Sequence, residues 1–446
     1  MQVRGLLVAA VLLAALGGLV WWSNTAEKSK GSKPDPNAPP KIVEIATDQV
    51  QQVEIVKGAE TTTVKRGAGG KWEIAAPKPF RADQDAAATL VGTFNSLSSE
   101  RLIEEKVSDL APFGLNKPSL TVNVTRKDGK KTKLLLGDET PTSGGIFAMV
   151  EGDPRVFTMA SFNKSSLDKT FKDLQDRRLL TFDSDKLTRV EMMFKWQLAE
   201  FGKNNQNEWA ILKPKPMRAD GGNVEELIRR LRDAKMDPAV SEADGKKAAA
   251  EFAGGTLVAI AKTTDASGTQ QLDVKKGKDN NYYARGSALE GIYKVPNDLG
   301  DGLNKTIDDF RQKKLFDFGW SDPGRIEFKD GGKARTFSKS GDKWTEGSKA
   351  MDNISVQNLV DKLRDLAAMK FADTGYTTPI VEASVTSNEG KRTEKVLISK
   401  TGDNYFAIRE NEPAVYQLDS KAVSELQKAA ADVKEPPAPK KDEKKK

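Results

Sequence analysis

The stretch Trp72-Glu-Ile-Ala-Ala-Pro-Lys-Pro-Phe-Arg-Ala-Asp83 returns with the same spacing, 137 residues later, as Trp209-Ala-Ile-Leu-Lys-Pro-Lys-Pro-Met-Arg-Ala-Asp220. A third tryptophan, Trp344, follows after a further 135 residues and leads to Asp352 through a connection three residues shorter. The chain therefore contains three copies of one unit. Catalytic sites are seldom triplicated, whereas scaffolds and binding surfaces often are, so the repeat favours an architectural or binding role.

Each copy begins with strand-like alternation of apolar and polar residues, which is typical of half-buried strands. In the first copy, Val50, Val53 and Ile55 carry this alternation, and residues 120–124 and 132–136 continue the pattern in its second half. Glycine-rich stretches between these segments supply turns. Because the strands are joined by short turns, we expect mainly antiparallel sheets.

A helix is predicted after the aspartate of each copy, because apolar residues recur seven and eleven positions beyond it and so form one stripe. These pairs are Leu90 and Phe94, Leu227 and Leu231, and Leu359 and Leu363. Asn223 with Glu226 predicts a capping box at the start of the second helix, and Ser355 is predicted to cap the third. The predicted fold class is α+β, with three tandem repeats after an N-terminal transmembrane helix, each repeat a mainly antiparallel β-sheet with a packed helix.

The N-terminal 5–22 segment is a run of 18 residues without a charge. As a helix it would rise about 27 Å, close to the thickness of about 30 Å of a bilayer core. Trp21 and Trp22 stand where an interfacial aromatic belt belongs. We interpret residues 1–22 as an uncleaved signal-anchor in the inner membrane; a cleaved signal peptide and a buried core helix are the alternatives. Since long domains translocate largely regardless of flanking charges, we expect the C-terminal bulk in the periplasm or outside the cell.

Changes in composition and the repeat itself give the domain limits. Residues 23–40 are rich in proline and small polar residues, which predicts a disordered linker. The repeats are predicted to form domains at 41–178, 179–314 and 315–432. Residues 433–446 are rich in lysine and proline and are predicted to be a disordered tail.

The composition removes several classes of chemistry. The 446 residues include no cysteine and no histidine, which excludes thiol nucleophiles, thiolate metal sites, Ser-His-Asp hydrolysis and haem ligation through histidine. We therefore predict no enzymatic activity and no cofactor. The net charge of +7 is spread among mixed charges of both signs. A nucleic-acid binder would cluster basic residues with interleaved aromatics, so no nucleic-acid partner is expected.

The candidate binding residues are Arg81, Asp83, Arg218 and Asp220. A guanidinium group is suited to bidentate contacts with a carboxylate or phosphate, so the repeated Arg-Ala-Asp could be a ligand clamp. The alternative is a turn that enters a helix, with the aspartate near the positive end of that helix. The third copy keeps its aspartate, Asp352, without a matching arginine, which favours the structural alternative.

The tryptophans of the three copies also allow two interpretations. One tryptophan per copy inside a strand pattern is typical of a core residue, yet the same rings could stack on sugars. Solvent exposure of Trp72, Trp209 and Trp344 distinguishes these alternatives, since exposed rings favour glycan binding and buried rings favour a scaffold.

The chain resembles the DUF4340 domain family of bacterial membrane-anchored envelope proteins. The resemblance rests on the N-terminal apolar run, the opening strand from Asp48 to Ile55, the Trp-x-Ile strand, Phe113-Gly-Leu-Asn-Lys-Pro-Ser-Leu-Thr-Val and Leu-Leu-Gly-Asp138. It extends over residues 41–432 and is weaker in the later copies, where Phe252-Ala-Gly-Gly and Thr374-Gly-Tyr replace the Phe-Gly-Leu element. The resemblance implies a companion of ABC-2-type and gliding-motility-type transporters.

The sequence therefore predicts a non-enzymatic, membrane-anchored envelope protein. We expect it to act as a scaffold or accessory binding component, with an inner-membrane complex, an ABC-2 type transporter, as its partner. The alternative is a module that binds cell-wall material or other glycans.

Overall fold

The fold consists of three antiparallel β-sheets with packed helices, as the sequence predicts. The computed structural model describes residues 41–141, 144–238, 242–319 and 323–437. The first sheet contains β1 (Val50–Lys57), β2 (Glu60–Arg66), β3 (Trp72–Ala76), β4 (Phe80–Arg81), β5 (Arg101–Glu104), β6 (Leu120–Arg126), β7 (Lys131–Glu139), β8 (Gly145–Val150) and β9 (Val156–Ala160).

The other two sheets repeat this set of strands. The second sheet contains β10 (Arg189–Phe194), β11 (Gln197–Lys203), β12 (Trp209–Lys213), β13 (Met217–Arg218), β14 (Thr256–Asp265), β15 (Gly268–Lys276), β16 (Tyr282–Gly286) and β17 (Leu289–Val295). The third sheet contains β18 (Arg325–Asp330), β19 (Lys333–Ser340), β20 (Lys343–Glu346), β21 (Lys349–Ala350), β22 (Ala368–Ala372), β23 (Pro379–Ser387), β24 (Arg392–Thr401), β25 (Asn404–Arg409) and β26 (Val415–Leu418).

The helices lie between these strands and after them. In chain order they are α1 (Gln84–Asn95), α2 (Ser161–Leu167), α3 (Phe171–Leu174), α4 (Gly221–Arg232), α5 (Glu242–Gly254), α6 (Asn297–Leu303), α7 (Asn353–Asp365) and α8 (Ser420–Ala431). Short 3-10 turns precede β1 and β10, at Thr47–Gln49 and Ser184–Lys186, and others lie at Ala111–Phe113, Ile307–Phe310 and Asn388–Gly390.

The three sheets have the same strand order, except that the first and third sheets carry one additional edge strand, β5 and β22. The order is β4-β3-β2-β1-β6-β7-β8-β9-β5 in the first, β13-β12-β11-β10-β14-β15-β16-β17 in the second and β21-β20-β19-β18-β23-β24-β25-β26-β22 in the third. The four strands up to the aspartate thus form one half of each sheet, and the opening strand pairs with the first strand of the second half. The repeat in the sequence is therefore a repeat in topology.

The predicted helix stripe is confirmed in every copy. Its six side chains face the sheets and are at most 2% exposed: Leu90, Phe94, Leu227, Leu231, Leu359 and Leu363. Burial of one such side chain stabilises the fold by about 1.5–3 kcal/mol relative to its exposure. Since the stripe occupies the same positions after each aspartate, it fixes the same face of each helix against its sheet.

The N-caps of these helices correct two sequence predictions. The structure does not use Asn223 or Ser355 as caps; instead Asp220 and Asp352 stand at the N-cap and accept hydrogen bonds from the backbone N–H groups of those residues, at 3.0 and 2.9 Å. Asp83 does the same for α1. A shorter loop leads to Asp352, yet the aspartate keeps its role, because a carboxylate is a good acceptor for the free N–H groups of a first helical turn.

The backbone of each capping aspartate also binds the segment that leaves its repeat. The N–H groups of Asp83, Asp220 and Asp352 donate to the carbonyl oxygens of Leu174, Phe310 and Lys434, each at 2.8 Å. The first two acceptors belong to short turns with their own capping boxes, in which Asp173 and Asp309 bond to a threonine. The aspartate therefore joins the helix start to the exit of the chain in every repeat.

The third repeat holds its exit segment with an additional ion pair. Arg335 makes a bidentate pair with Glu346, at 2.9 and 2.7 Å, and donates to the carbonyl oxygens of Ala430 and Val433. Val433 is buried in the third core. The segment predicted to be a disordered tail, 433–446, thus begins with residues that the third repeat binds.

The described part of the chain forms two compact units, divided between Asp176 and Arg177, so the second and third sheets share one unit. The predicted domain limits of 41–178, 179–314 and 315–432 stay predictions. Within the described residues, none of the helices has the length and apolar character needed to span a membrane. The predicted signal-anchor at 1–22 and the linker at 23–40 lie outside the described residues, as do residues 438–446 of the tail.

We expect loss of the third cap to destabilise the protein while a change at the other end of the same helix does not. Asp352→Ala should lower the free energy of unfolding of the second compact unit by about 1 kcal/mol, the usual cost of a lost N-cap. Asp365→Ala removes a carboxylate from the unfavourable end of the α7 dipole and should be neutral or slightly stabilising. Denaturant unfolding of both variants measures this difference, and equal effects would contradict the capping role.

The Arg335–Glu346 pair should make the exit segment sensitive to acid. The hydrogen bond from Arg335 holds the pKa of the Glu346 carboxyl below its ordinary value. Its contribution to stability is therefore complete above about pH 4.3, the ordinary glutamate pKa, and is lost as the pH falls through the lower folded pKa.

Hydrogen exchange in peptides from residues 415–437 tests this expectation. At pH 7, Glu346→Gln should weaken protection by about 1 kcal/mol, the upper range for a partly exposed pair, and the difference from the wild type should vanish below the folded pKa. Glu327→Gln, which breaks an exposed pair with Arg325 on the same sheet, is the control. A difference that persists unchanged into acid would contradict the assignment.

Candidate binding cleft

The four candidate residues lie where each first half-sheet meets its helix. Arg81 ends β4 and Arg218 ends β13, while Asp83 and Asp220 cap α1 and α4. The two aspartates have the structural role that the sequence allowed, because their carboxylates accept hydrogen bonds from backbone N–H groups of their own helices. Arg81 belongs to the first compact unit and Arg218 to the second, so each is described with its own surroundings.

Arg81 binds the exit of the first repeat. Its Nε lies 3.0 Å from the carboxylate of Asp176, whose side chain is only 5% exposed. The carbonyl oxygen of Arg81 also accepts the N–H of Asp176, at 2.9 Å. This arginine therefore fastens the chain where it leaves its repeat.

Arg218 occupies the same motif position and also binds an exit segment. Its Nη2 donates to the carbonyl oxygen of Lys314, at 2.9 Å, and to the carboxylate of Asp317. In contrast to Arg81, it also lines a cleft of about 920 Å³ within the second compact unit. We call this space the binding cleft.

Two repeats build the walls of the binding cleft. The second repeat supplies residues 204 and 206–212, which run from the β11–β12 turn into β12, and 216–219 around β13. The third repeat supplies Phe371, Arg392 and the stretch at the end of β25 and start of β26 that includes Arg409, Glu412 and Tyr416. The cleft volume falls within the range of about 300–1,000 Å³ that is typical of ligand sites.

Asp317 is the centre of the charged network in the cleft. Its carboxylate pairs with Arg218 and lies 3.5 Å from Nη2 of Arg392 and 3.5 Å from Nη1 of Arg409. Its backbone N–H donates to the carboxylate of Glu394, at 2.9 Å. One carboxylate from the connection between two repeats thus gathers three guanidinium groups.

Arg409 is the most buried arginine of the network. Its side chain is 10% exposed, and its Nη2 donates to Glu394 at 2.7 Å. Its Nη1 lies 3.0 Å from the carboxylate of Glu412. Glu208 lies 3.5 Å from Nη1 of Arg392. Three arginines therefore face four carboxylates, those of Glu208, Asp317, Glu394 and Glu412, so carboxylates outnumber arginines in the network.

Several guanidinium nitrogens of the network lack a hydrogen bond of good geometry although carboxylates outnumber arginines. Within the described residues, Nη1 of Arg218 and both Nε and Nη1 of Arg409 are buried without a hydrogen bond of good geometry. Nη1 of Arg409 nonetheless lies 3.0 Å from a carboxylate oxygen of Glu412. A buried donor left without a partner costs about 1–3 kcal/mol, and these nitrogens lie below the solvent-accessible surface, so the cost is internal to the network.

The aromatic residues of the cleft already contact the protein's own cations. The Nζ of Lys203 lies 5.5 Å from the centre of the Trp209 ring, and the guanidinium of Arg311 lies 3.4 Å from that of Phe371. Tyr416 is 2% exposed. Burial raises the pKa of the Tyr416 phenol above its ordinary value, and nearby positive charge from Arg218 acts in the opposite direction.

The three repeat tryptophans differ in exposure. Trp72 and Trp344 are buried, at 2% and 3% exposed, and contribute to the cores of the first and third repeats. Trp209 is half-buried and lines the cleft. Two of the three rings are therefore core residues, and the third is partly exposed where it lines the cleft.

Sequence reasoning identified Arg218 and missed the other charged residues of the cleft. Asp317, Arg392, Arg409 and Glu412 belong to no motif, and they come from the connection and from the third repeat. The only feature of the sequence that pointed to this cleft was the arginine two residues before the capping aspartate. Within the described residues, no group of three or more acidic side chains is arranged to hold a metal ion.

The sheets, the capping aspartates and the cleft define a tandem-repeat α+β protein with a cleft lined by two repeats. The chain belongs to the family described as Domain of unknown function (DUF4340), whose model matches residues 72–208 and 209–386. Both matched segments begin at a repeat tryptophan, and the second continues past Trp344 into the third repeat. Neither a curated protein nor a solved structure matches the chain.

Loss of the Asp317 carboxylate should destabilise the second compact unit. Asp317→Asn leaves three guanidinium groups with fewer acceptors, and we expect a loss of about 1–3 kcal/mol in the free energy of unfolding. Asp308→Asn removes an exposed partner of Arg311 from the same connection and should cost less than about 1 kcal/mol. Hydrogen exchange of peptides within 177–437 measures both effects, and equal effects would contradict the central role of Asp317.

Proposed function

We propose that this protein is a non-enzymatic, membrane-anchored binding component of the cell envelope. The observation that carries the proposal is the binding cleft, whose walls come from two repeats and carry both charged and apolar side chains. Such a site can hold a partner through both kinds of side chain. The triplicated fold supports the same proposal, because the repeats form a scaffold and the second and third repeats together line a cleft.

The proposed location is the inner membrane, with the repeats in the periplasm or outside the cell. The apolar segment at 5–22 supports an anchor, and the proline-rich residues after it would hold the first repeat away from the lipid surface. The proposed partner is an ABC-2 type exporter in the same membrane. The support for this partner is the family resemblance, in which related proteins look like companions of such transporters.

A glycan-binding module is the second candidate, and the half-buried Trp209 in the cleft is the observation that favours it. A sugar needs an open aromatic face for stacking, whereas the Trp209 ring already has Lys203 beside it. Trp72 and Trp344 are buried and offer no platform. We therefore prefer a protein partner.

Crosslinking in intact cells tests the proposed function. The tagged full-length protein is purified from membranes after crosslinking, and its partners are identified by mass spectrometry, with an unrelated single-pass protein carrying the same tag as control. We expect transporter subunits that the control does not recover. Recovery of cell-wall fragments without a membrane protein would reject the exporter partner and support the glycan-binding module.

A further inference from the structure

We propose that the turn between β10 and β11 docks on an anionic lipid surface, with Trp196 in the interfacial layer and Lys195 beside the phosphate groups. The inference rests on the proposed membrane anchor and goes beyond it, because it gives the second repeat its own contact with lipid. Three observations support it: the exposure and backbone of Trp196, an apolar row beside the turn, and an excess of lysines at the same end of the sheet.

Trp196 is exposed at a cost to the backbone. It is 81% exposed, and both turn residues have a left-handed φ, 44° at Lys195 and 69° at Trp196. Left-handed backbone is unfavourable for a residue with a Cβ, and asparagine or glycine usually occupies it in such a turn. In the equivalent hairpins of the first and third repeats, Gly58 and Gly331 hold the left-handed position. The same hairpin therefore forms in two repeats without an aromatic residue in the turn, so the fold does not require Trp196.

An apolar row lies next to this turn, on the face of the second sheet that points away from its core. Met193 on β10 lies opposite Leu198 on β11 and Ile260 on β14. Leu198 is 43% exposed, and the other two are half-buried. The alternate residues of β10, among them Phe194, are buried on the opposite face. The row and Trp196 together form the hairpin patch.

The same register in the other two sheets contains polar side chains. The equivalent rows are Thr61, Val56 and Thr121 in the first sheet and Ala334, Lys329 and Glu382 in the third. Since all three sheets share one strand order, an apolar row at this register is not a requirement of the fold. The hairpin patch is a property of the second repeat.

Lysines lie at the same end of the second sheet as the hairpin patch. Lys195 belongs to the turn, and Lys275 and Lys276 end β15, beside the start of β14. The Nζ atoms of Lys275 and Lys276 lie 4.8 and 5.6 Å from the ring centres of Phe252 and Tyr282. Contacts with neutral rings leave the positive charge of both lysines in place.

The acidic residues near this end of the sheet already have partners within the protein. Glu191, Glu200, Asp273 and Asp279 pair with Arg189, Lys213, Arg285 and Lys247 respectively, while Glu251 accepts the N–H of Lys278. Because most of these carboxylates are neutralised by their own cations, the lysines leave this end of the sheet positively charged.

An anionic lipid surface complements this combination of groups. A tryptophan ring is amphipathic and prefers the interface between headgroups and acyl chains, and lysines are attracted to anionic headgroups. Such a leaflet offers negative charge above an apolar interior over its whole surface, so it matches the hairpin patch without a shaped recess. The proposed anchor at 5–22 would hold the second repeat near such a surface.

A fluorescent label beside the turn tests the inference in the full-length chain. The chain has no cysteine, so Gln197→Cys gives a unique attachment site for the dye NBD. The labelled protein is reconstituted in phosphatidylcholine liposomes with or without phosphatidylglycerol, and lipids with a nitroxide near the headgroup quench the dye on contact. Glu60→Cys and Lys333→Cys, at the equivalent positions of the other hairpins, are the controls. We expect strong quenching at position 197 alone, which requires phosphatidylglycerol and weakens at high salt.

Two changes in the labelled Gln197→Cys protein identify the groups that bind lipid. Trp196→Gly should lower the equilibrium constant for lipid contact at least about tenfold, and Lys195→Gln about fivefold. Phe162→Ser removes an aromatic residue of α2 that is 69% exposed and should change the constant less than about twofold. Trp196→Gly should leave the free energy of unfolding unchanged or raise it, because glycine suits the left-handed turn. A loss of lipid contact is then not a loss of fold.

Three results would overturn the inference. These are equal quenching at the three labelled positions, quenching that is indifferent to Trp196→Gly, and the absence of quenching at position 197 in anionic liposomes. In the last case, a crosslink in cells from a photoreactive group at position 196 to a membrane protein would assign the hairpin patch to a protein partner.

Carbonate extraction of membranes separates this inference from the proposed anchor. If the protein resists carbonate but position 197 is not quenched, the lipid contact of the hairpin is rejected and the anchor stands. If carbonate releases the protein but anionic liposomes still quench the label, the anchor is rejected and the lipid contact of the hairpin stands.

Discussion

The aspartate that follows each tryptophan strand is the constraint on which the rest of the structure depends. Its carboxylate caps a helix, and its backbone N–H binds the segment by which the chain leaves the repeat. The first interaction sets the start of the helix and therefore which face meets the sheet. The second sets the point of exit. A single residue thus couples the inside of each repeat to the segment that leaves it.

This coupling explains how the binding cleft arises in the second repeat. Because Asp220 binds the carbonyl oxygen of Phe310, the chain that continues from Phe310 must pass close to the end of β13, where Arg218 stands. Asp317 lies on that continuation and meets the arginine there. Arg81 also meets an exit segment, through Asp176. The repeated arginine therefore binds the segment that leaves its repeat in both copies, and Arg218 additionally lines a cleft.

The sequence was sufficient for properties that depend on local pattern. Alternation at Val50, Val53 and Ile55 predicts β1, and the pairs beginning with Leu90 predict the buried helix faces, because both arise from periodicity. The caps at α4 and α7 were predicted wrongly. Asn223 and Ser355 have suitable side chains at helix starts, but the aspartate three residues earlier is already placed to accept their N–H groups.

The cleft could not be predicted for a different reason. Arg392 and Arg409 lie on neighbouring strands of the third sheet, and Asp317 lies in a connection, so no spacing along the chain brings them to Arg218. The sequence offers the arginine as an isolated signal. Its partners are brought close to it only by the packing of two repeats in one compact unit.

Counting charges and counting hydrogen bonds give different descriptions of the cleft, and the difference is informative. Four carboxylates meet three arginines, so by charge alone every arginine has a partner. Yet a carboxylate that serves several guanidinium groups cannot satisfy every N–H, because each guanidinium has five donors in a fixed plane. Asp317 serves three arginines and leaves buried donors over. Those donors lie below the solvent-accessible surface, so they lower the stability that the network contributes and are not open to a ligand in the cleft.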